Sequence, residues 1–325
     1  MDLTKYPNKP EFFDELLTHA NRARPGMGEL LSFLRKFSNS ELQQRKQDAD
    51  LAIQTMGITF TVYSEGKNID REWPFDIIPR VVMKSEWNRI EQGLKQRLTA
   101  LNAFINDVYN DGKIIEDKVV PKELLDSSKD FRQECMGIQP TFGVWAHICG
   151  SDLVRDGDGT MYVLEDNLRV PSGVSYMLEN RKMMMRLFPE LFRRQAVEPV
   201  EHYPSLLLST LRAAALVDDP VVVLLTPGRF NSAYFEHSFL AQQMGIELVE
   251  GQDLFVKDGY VYMRTTAGSQ RVDVIYRRVD DAFLDPLAFR PDSLLGVPGL
   301  LSVYRAGDRK STRLNSSHQI ISYAV

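Results

Sequence analysis

Apolar positions in the first part of the chain recur at helical spacing. Phe12, Phe13, Leu16 and Leu17 form one set, and Leu30, Leu31, Leu34 and Phe37 a second, so residues 11–56 are expected to be helical. Within them a helix is expected to start at Ser40 and stop at Gly57. Residues 58–63 alternate as a strand does. Ser85 is placed to cap a long amphipathic helix over 86–110, with Trp87, Ile90, Leu94, Leu98, Leu101 and Ile105 on one face, which reads as core. From 143 to 167 the period becomes two, the pattern of a hairpin, and helices are expected at about 175–187 and 203–215.

The pattern changes again after Asp219-Pro220. Residues 221–225 form a continuous apolar run, as in a strand buried on both faces. A Pro-Gly turn, a helix over about 232–244 stopped by Gly245, and a strand over 246–249 complete a βαβ unit. Residues 254–263 fold back around Asp258-Gly259, and 272–276 read as a further buried strand. The fold class is therefore a mixed α/β one. A boundary near 200–218 divides an α+β part, with an antiparallel sheet and helices, from a Rossmann-like α/β part.

Residues 308–325, DRKSTRLNSSHQIISYAV, break from everything before them. They resemble the frame translation of a short-read sequencing adapter, DRKSTRLNSSH and ISYAV flanking Gln319-Ile320 where a sample index would stand. This tail is expected to be a disordered artefact, and the natural sequence is expected to continue past Gly307.

Composition narrows the function classes. The 325 residues are 43% hydrophobic and 26% charged, with a net charge of −5, and acids are interspersed with bases. No basic stripe marks a nucleic-acid surface. Two cysteines make no disulfide framework or zinc spacing, no leader-like apolar segment follows the first lysines, and no apolar run is long enough for a membrane helix. A cytoplasmic location is the expectation.

The chemistry concentrates between His147 and Gly173. If Asp158-Gly159 forms a two-residue turn, Asp152 falls opposite Glu165; if Gly157-Asp158 does, Asp152 becomes its diagonal neighbour. Both registers put Asp152, Glu165 and Asn167 on one face and turn Asp166 away. Facing carboxylates repel, and a bound cation offsets that cost. Oxygen donors without thiol or imidazole suit magnesium or manganese, with Arg169 placed beyond the strand to meet a phosphate. The plainer alternative is a simple turn flanked by solvated acids. Two further candidate sites follow from the α/β part. Arg277 and Arg278, followed by Asp280 and Asp281, lie just past a strand, where ligands bind in open sheets. Their alternative is a surface ion-pair network. The turn Thr226-Pro227-Gly228 with Asn231 and Ser232 precedes a helix whose start could take an anion.

These residues carry a resemblance. The stretch D-L-V-R-D-x-D-G-x-x-Y-V-L-E-D-N-L-R-x-P-S-G-V-S-Y at 152–176 resembles the circularly permuted type 2 ATP-grasp family. The likeness extends through W-P-F-D-I-I-P-R (73–80), L-T-P-G (225–228), N-S-A-Y-F-E-H (231–237), M-G-I-E-L-V-E-G-Q-D-L (244–254), R-V-D-V-I-Y-R-R-V-D-D (271–281) and F-R-P-D-S-L-L-G-V-P-G-L-L (289–301), covering nearly all of 40–307. It implies magnesium ligands at Asp152, Glu165 and Asn167, and a phosphate or acyl-phosphate contact, catalytic and ATP-binding, at Arg169. With the helical spacing of the N-terminal segment, 1–57, it implies a metal-binding part at 58–217 and a pre-ATP-grasp part at 218–307. The family's lysine-bearing lobe comes last and is absent from the native part here, so no turnover is expected of 1–307 alone. The implied activity is ATP- and magnesium-dependent ligation of a small-molecule or peptide carboxylate to an amine through an acyl phosphate. A non-catalytic binding or assembly role, or a magnesium-dependent phosphotransferase, stands as the alternative.

Overall fold

The computed structural model describes residues 11–18, 21–64, 67–306 and 313–315. Its elements run α1 (Gly28–Leu34), α2 (Asn39–Thr55), β1 (Thr59–Ser64), β2 (Lys67–Glu72), α3 (Lys84–Tyr109), α4 (Lys113–Glu116), α5 (Lys122–Ser127), β3 (Gly150–Arg155), β4 (Met161–Asn167), α6 (Val174–Leu187) and α7 (Pro189–Arg194). There follow α8 (Tyr203–Ala213), β5 (Val222–Leu225), α9 (Tyr234–Met244), β6 (Glu247–Val249), β7 (Leu254–Lys257), β8 (Tyr260–Thr265), β9 (Gly268–Val272), β10 (Val274–Arg277), α10 (Asp281–Leu284), α11 (Leu300–Arg305) and β11 (Arg313–Asn315). The mixed α/β class read from the sequence is the one observed. The chain forms two compact units and passes repeatedly between them. One comprises Met1–Leu94, Asp152–Leu164 and Gly173–Glu201, the other Lys95–Ser151, Glu165–Ser172 and His202–Val325.

In the first unit α2 begins one residue earlier than the sequence suggested. Ser38 caps it, and Glu41 answers in a reciprocal capping box that satisfies two backbone donors at once. Residues 11–18 are not helical, despite their spacing. The Asp14 carboxylate accepts the backbone N–H groups of Leu16 and Leu17, both at 2.8 Å, and these amides are thereby diverted into a turn. Leu17 bridges to Ala23 and buries against Leu31, whereas Phe12 is exposed. β1 and β2 pair antiparallel. The Trp73 ring stacks on Tyr176 of α6, centroids 4.1 Å apart, and its indole N–H donates to Asn180 at 3.0 Å.

The expected core face of α3 holds only at its C-terminal end. Trp87 is 50% exposed, while Ile105, Val108 and Tyr109 are buried. The reason lies in the second unit, where the Tyr109 ring packs between Trp145 at 4.8 Å and Phe131 at 5.3 Å. This cluster joins a core built largely from β5, β8 to β10 and α11.

That core rests on a parallel sheet in the order β11-β10-β5-β6. All four residues of β5 are buried, and so are all four of β10, as a strand covered on both faces requires. α9 joins β5 to β6, and Gly245, at φ +67°, ends it. β7, β8 and β9 form a separate antiparallel sheet; Asp258 and Gly259, both at positive φ, make the tight turn between β7 and β8. One expected strand is in fact two. The run 272–276 breaks at Asp273, so Val272 ends β9 and Val274 opens β10. The Asp273 carboxylate takes the Val221 N–H at 3.0 Å, and the Val221 carbonyl takes the N–H groups of Asp273 and Val274, which passes the chain from one sheet to the other. Arg313–Asn315, within the tail expected to be a disordered artefact, pair parallel to β10; residues 307–312 and 316–325 lie outside those described. Among the described residues no helix is long and apolar enough to cross a membrane.

Gly296 sits where a side chain has no room: an added Cβ would lie 2.1 Å from the Phe283 carbonyl oxygen and 2.3 Å from that of Leu284. Backbone cannot rotate away as a flexible side chain can. Gly296→Ala is expected to cost about 2 kcal/mol or more in urea unfolding; unchanged stability would show that this loop is free to shift.

Candidate functional site

The turn of the β3–β4 hairpin is longer than expected. Gly159 N–H donates to the Asp156 carbonyl and Asp156 N–H to the Thr160 carbonyl, both at 2.9 Å, which leaves three residues, 157–159, between paired Asp156 and Thr160. Gly159 adopts φ +90°, the left-handed position of a three-residue turn. The two-residue registers from which Asp152 and Glu165 were placed on one face therefore do not occur at this turn. The turn is clamped from within its own unit. Arg155 pairs with Glu15 at 2.7 Å and Glu86 at 2.5 Å and donates to the Gly159 carbonyl at 2.9 Å. Glu15 also takes two bonds from Arg80, so the guanidinium groups of Arg80 and Arg155 hold its carboxyl below the usual range. The Phe13 ring fills the space where a Gly159 side chain would stand. Asp152 is exposed on β3 in this unit, whereas Glu165, Asn167 and Arg169 belong to the other.

In the second unit the end of β4 sorts its three polar residues. Asp166 is held inward: its carboxylate accepts from Ser151 Oγ at 2.6 Å and pairs with Arg97 of α3. Because strand side chains alternate, that commitment sends Glu165 and Asn167 the other way. Glu165 is exposed, and the Asn167 amide nitrogen donates to it at 3.1 Å, which points the amide oxygen away from the carboxylate. No lysine or arginine forms an ion pair with Glu165 among the described residues. Nor, among them, do three His, Cys, Asp or Glu residues group as a metal site.

The loop after β4 is fixed at three points. Leu168 is buried in the core. Arg169, with 24% of its side chain exposed, places Nη1 3.1 Å from Asp280 and 3.9 Å from Asp130. The Pro171 carbonyl accepts from Arg278 Nη1 at 2.6 Å. Between the last two, Val170 takes φ +39°, a conformation that a β-branched residue rarely adopts.

Arg169 thus meets the C-terminal ends of the parallel strands. β5 runs to β6 on one side through α9, and the chain returns to β10 on the other side of β5, so the strand order reverses between β5 and β10. Such a reversal opens the crevice in which α/β sheets bind ligands. The loop after β5 carries Thr226, Gly228, Asn231 and Ser232. The Asn231 side chain accepts from Ala233 N–H at 2.9 Å, Ser232 is half-buried, and the Glu250 carboxylate after β6 lies against Gly228. After β10 the residues part company. Arg277 and Arg278 are buried, not in a surface network: Arg277 pairs with Asp281 and donates to the Val279 carbonyl, and Arg278 pairs with Glu236 of α9 at 3.1 Å. Asp280 stays half-exposed, one oxygen capping α10 through Ala282 N–H at 3.0 Å and the other facing Arg169. Asp130 and Glu236 were not singled out from the sequence. Asp130 sits in an irregular segment with no local pattern, and a helical Glu looks like any exposed acid until its burial is known.

Behind this edge the Thr226 hydroxyl accepts the Gly228 N–H at 3.2 Å and lies 2.8 Å from His237 Nδ1. Burial, helped by the charge of Arg278, pushes the His237 imidazole down to about 3. It is neutral in the folded chain but takes a proton in the unfolded chain below about 6.5. Its contribution to stability is therefore complete above that pH and is lost as pH falls from 6.5 towards 3, by at most about 1.4 kcal/mol per pH unit. His237→Asn, which keeps an acceptor for Thr226, is expected to flatten the acid limb of a denaturation-against-pH curve by about one proton; parallel curves for the two proteins would contradict it.

Residues 79–312 match the family model of circularly permuted ATP-grasp type 2. A protein of Synechocystis with no assigned function is 53% identical over 309 residues, 94% of this chain and 64% of its own length. A protein of Frankia casuarinae with the provisional name glutamate–cysteine ligase 2-2 is 35% identical over 302 residues, 92% of this chain and 35% of its own. The chain thus spans about a third to two thirds of these curated relatives. Among solved structures, a glutathione synthetase-like effector of Globodera pallida in its apo form overlays with a TM-score of 0.49 at 14% identity, over 83% of this chain and 64% of that one. The chain belongs to the circularly permuted ATP-grasp type 2 family.

Proposed function

We propose that this chain is the metal-carrying and α/β part of an ATP- and magnesium-dependent ligase that joins a carboxylate to an amine, working in the cytoplasm. The observation that carries the reading is the outward pair Glu165 and Asn167 beside a half-exposed Arg169. Both outward groups carry hard oxygen atoms, which suits magnesium, or manganese in its place, with the Asn167 amide turning its oxygen towards an ion held by the Glu165 carboxylate. Two ligands leave positions open for phosphate oxygens. Bound there, the ion would neutralise charge on the phosphates during transfer.

The chain's own residues do the rest by placement. Glu165 and Asn167 would hold the ion end of the nucleotide, and the Arg169 guanidinium would bind the oxygens of the transferred phosphoryl group. The carboxylate substrate takes that group as an acyl phosphate; the amine then forms the C–N bond as phosphate leaves. Asp280, Asn231 and Ser232 at the reversal of strand order are the groups we assign to the organic substrates. Arg277 and Arg278 are excluded from that set because their guanidinium groups are buried against Asp281 and Glu236. The provisional name of the Frankia relative agrees with an amino-acid acid and amine, and no feature favours nucleic acid.

In the full-length gene product, Glu165→Ala is expected to lower ATP-dependent amide formation by about 100-fold or more, with the thermal midpoint unchanged. Wild-type rates in that variant would remove the metal assignment. ADP release that needs no amine and leaves a stable phosphorylated product would instead identify a phosphotransferase.

A further inference from the structure

Four consecutive residues after β4, Leu168 to Pro171, are tied to the protein at three places, and the strain falls between the ties. Leu168 is locked in the core, Arg169 is drawn to Asp280 and Asp130, and the Pro171 carbonyl is taken by Arg278. Val170, the residue left to absorb the geometry, is at φ +39°. Left-handed backbone is costly for a branched side chain and persists only where the surroundings over-determine it. Arg278 supplies that constraint. It is 4% exposed, its Nη2 pairs with the fully buried Glu236 of α9, and its Nη1 reaches both the Tyr276 hydroxyl and the Pro171 carbonyl. Gly150 completes the clamp: an added Cβ there would come within 3.0 Å of Pro171 Cβ, so the strand leaves only enough room for the loop as it stands.

We propose that Arg278, braced by Glu236, is a positioning residue: it holds the Pro171 carbonyl, keeps Val170 in a strained conformation, and so fixes the direction in which Arg169 leaves the backbone. Arg278 touches no substrate on this account. It acts through the loop, as a fixed anchor that prevents Arg169 from swinging when its partner Asp280 is displaced by a phosphate-bearing ligand. The inference rests on the assignment of Arg169 to phosphoryl oxygens, but its structural half does not.

The test is a thermal cycle on the 325-residue chain, paired with kinetics on the full-length gene product. Val170→Asn, which accepts left-handed backbone readily, is expected to raise the thermal midpoint by about 2 °C or more. Replacing the buried pair together, Glu236→Met with Arg278→Met, leaves no unpaired charge and frees Pro171; in that background Val170→Asn is expected to give no rise. If the double variant does not fold, Arg278→Lys, which keeps the charge beside Glu236, takes its place. An equal rise in both backgrounds, or a fall in the wild type, overturns the clamp. In the kinetic arm the clamp variant is expected to lose about 100-fold in kcat while KM for ATP stays within about twofold, the signature of a misdirected rather than a missing group. A wild-type protein without ATP-dependent turnover would sink the ligase reading and leave the thermal cycle to decide the clamp. Turnover that is unaffected by the clamp variant would sink the positioning role alone.

Discussion

The ion pair between Asp166 and Arg97 is the constraint on which the candidate site depends. A strand offers its side chains alternately to two faces, and nothing in E-D-N by itself says which face each will take. Once Asp166 is committed to Arg97 and Ser151, with 6% of its side chain exposed, the choice is made: Glu165 and Asn167 must turn outward together. The same phase sends Leu168 into the core, and Leu168 in turn sets where the loop bearing Arg169 begins. One partly buried contact therefore governs a donor pair, an anchor and a cation within five residues.

The opposite wall of the site shows how burial divides charges of similar appearance. Arg277, Arg278, Asp280 and Asp281 are adjacent in sequence, yet three are buried and paired while Asp280 alone is half-exposed. A buried guanidinium with its carboxylate is expensive to disturb, because removing either partner strands the other charge. Such groups are suited to holding backbone in place. The exposed acid, bonded to both a helix start and Arg169, is suited to exchange with a ligand. The division follows from depth at the end of the parallel sheet, where β10 delivers Arg277 and Arg278 still inside and Asp280 just beyond it.

Much of this was legible in the sequence. The βαβ unit around β5 and β6 followed from a continuous apolar run, a helical period and Gly245; the β7–β8 turn followed from Asp258-Gly259. That Glu165 and Asn167 share one face and Asp166 takes the other followed from the period of two; which face is outward did not, and the alternation breaks between Leu164 and Glu165, which are both exposed. What failed did so where a side chain competed with a local pattern. Asp14 captured two amides of an apparently helical stretch, and Asp273 split one apolar run between two sheets. At the hairpin, D-G-D-G supports turns of two and of three residues, and only the fit of Phe13 over Gly159 and of Arg155 beneath it selects the longer one. The roles of Glu236 and Arg278 were out of reach for a different reason: pairings 42 residues apart have no local signature.

The central claim is that the outward oxygens of Glu165 and Asn167 grip a divalent ion. Anomalous scattering from crystals of the full-length gene product grown with manganese and ATP tests it directly. A manganese peak is expected within about 2.5 Å of a Glu165 carboxylate oxygen and of the Asn167 amide oxygen. A manganese peak on the nucleotide that touches neither side chain would contradict it.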